Sequence, residues 1–228
     1  MKTYPICLIG LEGRQAVVVG GGSVAARKVK GLLEAGAKVT VVSPVISADL
    51  QALVAPQTDV ILGLDEELPA PVIIERSYRS GDLEGAFLVI AATDDPAVNE
   101  AVWQEASRRG CLVNVVDDPL HSNFIVPAIV RRGELLLAIS TGGASPALAR
   151  RLRQQLEAQF GPEYGQLVEL MASLRPELMQ RFSPGAARLE AALRLVDSDL
   201  LQVIRDRGVL AARLYAQDLL SDNLEAEL

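Results

Sequence analysis

The apolar run Ala16-Val17-Val18-Val19 leads directly into Gly20-Gly21-Gly22-Ser23-Val24-Ala25 and then into a helix-forming stretch. This is the pattern G-x-G-x-x-A between a strand and a helix, and no other feature of the chain constrains its fold as strongly. Gly20 lets the chain turn tightly. Gly22 removes the side chain where a pyrophosphate must approach the backbone, and Ala25 is small enough for the helix to sit close to the strand. The helix N-terminus adds unpaired N–H groups and the positive end of its dipole. A dinucleotide site is expected, with Gly20, Gly22, Ser23 and Val24 against the cofactor; the plainer alternative is a structural glycine turn.

The segments that follow repeat the same alternation. The helical stretch Val24 to Ala35 carries Val29, Leu32 and Leu33 on one face, and Gly36 stops it. Strands are expected at Gln15–Val19, Lys38–Val42, Pro71–Glu75, Phe87–Ala91 and Cys111–Val116, with a variable stretch rich in Pro and acidic residues before the third. Asp95 can cap a helix that has Pro96 at its first position and Gly110 after its end. Repeated β-α-β units with near-continuous apolar strands imply an α/β fold, a Rossmann-like doubly wound parallel sheet, over residues 1–116. The pattern then changes. Phe124–Val130 and Leu135–Ser140 read as a hairpin around Gly133, giving a small β-rich connecting domain over 117–146. Ser145 and Pro146 open a helical C-terminal domain, 147–228. Leu148, Leu152, Leu156 and Phe160 step along one side of its first helix, and the leucine stripes of this region read as core. Pro176, Pro184 and Gly208 punctuate the later pieces, and Asn223 to Leu228 are expected to fray.

Composition limits the function classes. With 22 basic and 29 acidic residues the net charge is −7, which argues against a general affinity for nucleic acid. An anionic ligand would need a local basic patch. No apolar run reaches membrane-spanning length, and the start Met1-Lys2-Thr3-Tyr4-Pro5 lacks the apolar core of a signal peptide, so the expected location is cytoplasmic. Cys7 and Cys111 read as buried free thiols. No cluster of Cys, His or carboxylates has the spacing of a permanent metal site.

Five segments together carry a family resemblance. They are Val18 to Lys28, Ala91-Ala92-Thr93-Asp94-Asp95, Asn114-Val115-Val116-Asp117, Phe124-Ile125-Val126-Pro127, and Ser140-Thr141-Gly142-Gly143-Ala144-Ser145-Pro146-Ala147-Leu148-Ala149-Arg150. In combination they resemble precorrin-2 dehydrogenase, also found as the N-terminal half of siroheme synthase; the chain looks like the stand-alone form. The resemblance implies NAD-dependent oxidation of precorrin-2 to sirohydrochlorin, ferrous iron as a further substrate in some members, and a homodimer formed through the connecting region. It implies that Asp117 is the catalytic base and that Thr141, with Gly142, Gly143 and Ser145, serves the substrate.

The residues themselves leave alternatives open. Asp117 follows the fifth strand at the edge where open α/β sheets bind ligands, but it or Asp118 could equally start the turn at Pro119. The loop Thr141 to Ser145 is either an anion-binding concavity before a capped helix or a simple connection. Arg131, Arg132, Arg150, Arg151 and Arg153 are near it, most of them expected on solvated faces. Ser43 and Pro44 end the second strand, where an acid usually binds the ribose; Ser43 can still do so, and no arginine follows to receive a 2′-phosphate, which favours NAD. Thr93 and Asn114, at the ends of the fourth and fifth strands, are placed for the nicotinamide half. His121, the only histidine, could touch a passing metal or relay a proton beside Asp117 and Asp118; the plainer reading is a loop residue without a role. The rival reading is a regulatory module that binds NAD without turning it over.

Overall fold

The computed structural model describes residues 3–54 and 70–221. The start at Met1-Lys2, most of the Pro-rich and acidic stretch (55–69) and the fraying expected of 223–228 lie outside them. The chain divides into two compact units, one ending at Val126 and one beginning at Pro127.

The first unit is a five-stranded parallel sheet. Its strands are β1 (Gln15–Val19), β2 (Lys38–Val42), β3 (Val72–Ile74), β4 (Leu88–Ala91) and β5 (Leu112–Val115), in the order β3-β2-β1-β4-β5. Side chains alternate across a strand, so each apolar run feeds two cores. Ala16, Val18, Val39, Val41, Leu88 and Ile90 pack with Ala25, Val29, Leu32 and Leu33 of helix α1 (Ser23–Glu34). Val17, Val19, Val89, Ala91, Val113 and Val115 pack with Val102 and Ala106 of helix α3 (Pro96–Arg109). Each fully buried valine contributes about 1.5–3 kcal/mol, which is why strands this short hold. Asp95 caps α3 by accepting from the N–H of Ala97 at 2.9 Å, and Gly110 ends it at φ 71°.

Several expectations are corrected here. Cys111 is buried, but Cys7, in the irregular segment before β1, is exposed. A five-residue helix α2 (Ala48–Ala52), capped by Ser47, follows β2 unforeseen. The change of unit comes after Val126, not after Val116. Residues 117–126 return onto β5, where Asn123 accepts from the Val113 N–H at 2.8 Å and donates to the Cys111 carbonyl at 2.9 Å. No strand therefore starts at Phe124.

The second unit opens with β6 (Ala128–Arg132) and β7 (Leu135–Ile139), antiparallel around Gly133 at φ 54°. Helices α4 (Pro146–Gln159), α5 (Glu163–Arg181), α6 (Ala186–Val196) and α7 (Leu200–Ser221) follow, with α7 interrupted at Gly208 (φ 81°, ψ 171°). Leu170, Leu174, Leu178, Leu195, Leu200 and Ile204 form its core. Pro176 does not punctuate: it lies inside α5. A proline in a helix interior costs about 3 kcal/mol, but the buried stripe Leu170, Leu174, Leu178 runs past it and outweighs that cost. The stripe read as core in α4 is not core: no residue of α4 is buried, and Leu148 and Leu152 are 50% and 36% exposed.

Candidate active site

The strand order reverses between β1 and β4, and the glycine turn sits at that crevice. Gly20 adopts φ 124°, and a Cβ there would lie 2.2 Å from the Ala92 carbonyl oxygen, so the turn rests against the end of β4. Gly21 is tighter still. Its Cβ would fall 1.9 Å from the Val45 carbonyl oxygen and 2.7 Å from the Ser43 hydroxyl. Gly22 is the opposite case: an added Cβ meets nothing within 4 Å among the described residues. Gly22 is also the N-cap of α1, and no side chain caps that helix. Ser23 beside it is exposed and Val24 half-buried. Two glycines thus serve protein contacts, and the third fronts open space at an uncapped helix N-terminus. That cradle fits the pyrophosphate of a dinucleotide.

The rim of the crevice is built by residues whose polar groups are partly used. Ser43 is buried, and its hydroxyl donates to the Val45 carbonyl at 2.8 Å. Pro44 and Val45 are exposed. The Thr93 hydroxyl bonds the Asn99 side chain at 2.8 Å and accepts from the Asp95 N–H at 3.2 Å. The Asn114 amide donates to the Phe124 carbonyl at 3.1 Å, tying the returning segment to β5.

Asp117 stands where β5 ends. It is the one non-glycine residue with positive φ, 61°, among those described. A left-handed backbone on a residue with a side chain costs of order 1–3 kcal/mol and is held only where its surroundings over-determine it. The surroundings are the tight turn in which the Asp118 N–H donates to the Val115 carbonyl at 3.1 Å, and the Ser122 hydroxyl, which donates to the Asp118 carbonyl at 2.7 Å. Asp117 lines a cavity of about 180 Å³ with Lys28, Asn114, Val115, Val116, Asp118, Pro119, Ser122, Ile125 and Val126. Lys28 was invisible as a site residue in the sequence, where it looks like one of the polar positions of α1. Burial pushes its ammonium below the usual lysine range and neighbouring Arg27 adds to this, while Asp117 pulls in the other direction.

His121 is more firmly held than a loop histidine without a role. Its Nδ1 meets the Asp118 carboxylate at 2.5 Å, its Nε2 lies 3.3 Å from the Glu100 carboxylate, and its ring meets Trp103 edge-on with centroids 4.7 Å apart. The hydrogen bond with Asp118 raises the imidazole above its ordinary range, and the same bond lowers the Asp118 carboxyl. This clamp fixes the loop that carries Asp117 onto α3.

In the second unit, Thr141 to Ser145 form a closed turn. The Thr141 hydroxyl accepts from the Ser145 N–H at 3.1 Å and contacts the Ser145 carbonyl at 3.2 Å. The Ser140 hydroxyl accepts from the Gly142 N–H at 3.1 Å, Gly142 and Gly143 are left-handed (φ 60° and 83°), and Ser145 caps α4 by accepting from the Leu148 N–H at 3.2 Å.

Residues 7–128 match the family model described as "Putative NAD(P)-binding", and residues 132–159 match the sirohaem biosynthesis protein central domain. A solved structure of SirC, precorrin-2 dehydrogenase, superposes with a TM-score of 0.69 and 30% identity, covering 96% of this chain and 100% of that one. The chain belongs to the precorrin-2 dehydrogenase family. Its first unit is the NAD(P)-binding domain of that family. Siroheme synthase from Methylobacillus flagellatus is 42% identical over 226 residues, 97% of this chain and 44% of that protein. Siroheme synthase from Nitrosomonas eutropha is 42% identical over 225 residues, 99% of this chain and 45% of that protein. The chain therefore spans less than half the length of these curated relatives. Helices α5 to α7 lie beyond both matched family segments.

Proposed function

We propose that this dehydrogenase-family chain oxidises precorrin-2 to sirohydrochlorin with NAD as the acceptor. The observation that carries this is Asp117, held in a strained backbone conformation at the C-terminal end of β5 inside a cavity shared with Lys28. Backbone N–H groups at Gly22, Ser23 and Val24 cradle the pyrophosphate; Gly20, whose own N–H donates to the Val42 carbonyl at 2.9 Å, shapes the turn, and Gly22 leaves the room for the ligand. Ser43 shapes the adenosine rim from below and Pro44 borders it, without an acid or an arginine to sort NAD from NADP outright; the missing phosphate-binding arginine favours NAD. Thr93 and Asn114 border the nicotinamide half. When bound, the nicotinamide accepts a hydride, which no amino-acid side chain can do. The substrate also loses a proton, and a carboxylate oxygen of Asp117 takes it.

Thr141, Gly142, Gly143 and Ser145 serve the substrate in this proposal, at a turn in which Gly143 is exposed. A second copy of the chain covers the apolar stripe of α4, whose Leu148 and Leu152 are left open in one chain, making a homodimer. Among the described residues no helix is long and apolar enough to cross a membrane, and no cysteine pair forms a disulfide; a cytoplasmic location fits both. Ferrous iron is a further candidate substrate, inserted into sirohydrochlorin.

Anaerobic mixing of the protein with precorrin-2 and NAD tests the proposal. NADH and sirohydrochlorin are expected in equal amounts. Nucleotide binding without either product would point instead to a sensing module, and loss of free sirohydrochlorin on adding ferrous iron would establish the second activity.

A further inference from the structure

The polar groups that line the Asp117 cavity are nearly all occupied within the protein. Asn114 donates to the Phe124 carbonyl, Ser122 donates to the Asp118 carbonyl, and the Asp118 carboxylate is bound to His121. Two side chains remain, Asp117 and Lys28, and Lys28 is the only cation of the lining among the described residues. Asp117 acts on it through space, but no carboxylate among the described residues closes an ion pair with it. A half-buried ammonium with neither a hydrogen bond nor an ion pair among the described residues is costly to keep. Val115, Val116, Ile125 and Val126 line the same cavity with apolar side chains. The cavity, at about 180 Å³, is smaller than the roughly 300–1,000 Å³ that encloses a whole ligand. It admits an arm or a ring edge, not a macrocycle. The chain as a whole carries a charge of −7 and Asp117 adds to the repulsion, so a polycarboxylate approaching this edge needs one local cation.

We propose that Lys28 is a substrate-positioning residue: its ammonium receives one carboxylate arm of the tetrapyrrole and so holds the macrocycle against Asp117. This rests on the dehydrogenase reading above. The same ammonium could in principle meet a cofactor phosphate, and the test separates the two anions.

The test is equilibrium binding of sirohydrochlorin and of NAD, measured separately on the full chain as wild type, Lys28→Met and Lys28→Arg, followed by KM and kcat for precorrin-2. Lys28→Met is expected to weaken sirohydrochlorin binding and raise KM by roughly tenfold to a hundredfold, as for a lost charge-assisted contact. Its kcat is expected to change far less, and its NAD affinity not at all. Lys28→Arg restores most of the loss, because the charge is kept. In the wild type, sirohydrochlorin and not NAD shields Lys28 from an amine-acylating reagent, a readout that stands even if Lys28→Met does not fold. Unchanged sirohydrochlorin binding in Lys28→Met, a loss confined to NAD, or Lys28→Arg as weak as Lys28→Met would each overturn the inference. If Lys28→Met behaves as wild type while the wild type oxidises precorrin-2, the inference alone falls. If the wild type neither binds nor oxidises the tetrapyrrole, the dehydrogenase reading falls with it.

Discussion

Two glycine-bearing turns in this molecule lead from a strand into a helix, and they are finished in opposite ways. Between β1 and α1, the helix begins at Gly22 with no side-chain cap and nothing in front of the glycine. Between β7 and α4, Ser145 caps the helix, Thr141 brackets Ser145, and Ser140 takes up the Gly142 N–H. A helix N-terminus attracts anions because its first N–H groups lack partners. The first turn keeps that property. In the second turn, hydroxyl groups already satisfy part of it. Glycines before a helix therefore do not by themselves mark an anion site; the groups left unpaired do.

The contrast can be broken first at Gly21. Placing a methyl group 1.9 Å from the Val45 carbonyl oxygen forces backbone apart, and Gly21→Ala is expected to cost about 3 kcal/mol as an overpacked site. A thermal melt would show it as a Tm lower by roughly 10 °C. Gly22→Ala separates space kept for a ligand from space kept for packing. Its φ of −79° suits any residue and its Cβ meets no protein atom. The melt should stay within about 2 °C of wild type, while the dinucleotide Kd, by calorimetry, rises about tenfold or more. An unchanged Kd would mean that the space is not where the cofactor lies. At the other turn, Ser145→Ala is expected to lower stability by about 1 kcal/mol, an ordinary lost cap, and to leave the dinucleotide Kd alone.

Much of this was readable in the chain, and what was hidden has physical reasons. The five strands announce themselves as valine-rich runs, and α3 is bounded by Asp95 and Gly110 as its capping chemistry requires. Gly21 was hidden because the motif treats its position as free; the Val45 backbone that forbids a side chain comes from beyond β2, over twenty residues on. Lys28 was hidden because, on a helix read alone, a lysine beside Arg27 looks solvated; the cavity wall arrives from residues 114–126. The return of that segment was unreadable because it is fastened by side chains, Asn114, Ser122 and Asn123, bonding to backbone rather than by any periodic pattern. Pro176 and the α4 leucines failed for converse reasons. Packing overrode a local breaker in α5, and the apolar stripe of α4, which meets β6 and β7, is only partly covered among the described residues, with Leu148 and Leu152 exposed.

The smallest expected effect belongs to the loop that carries Asp117. His121 has its imidazole pKa raised by Asp118 and then by Glu100. The protonated clamp is thus fully present below the unfolded value of about 6.5 and is lost as pH rises through the higher folded value. The depressed Asp118 carboxyl keeps its side of the clamp until pH falls below the ordinary carboxylate range. Melts across neutral pH should show a slight decline in Tm on the alkaline side, absent in His121→Ala.

In the proposed division of labour, the Gly22 cradle binds the dinucleotide and the Asp117 carboxylate takes the proton. Asp117→Asn tests it most directly, since asparagine tolerates the same left-handed backbone and removes only the base. NAD affinity and anaerobic single-turnover oxidation of precorrin-2 are measured on the one protein. A wild-type Kd is expected, with turnover slowed by roughly 100- to 10,000-fold, the usual contribution of a positioned base. Full turnover in Asp117→Asn would contradict it.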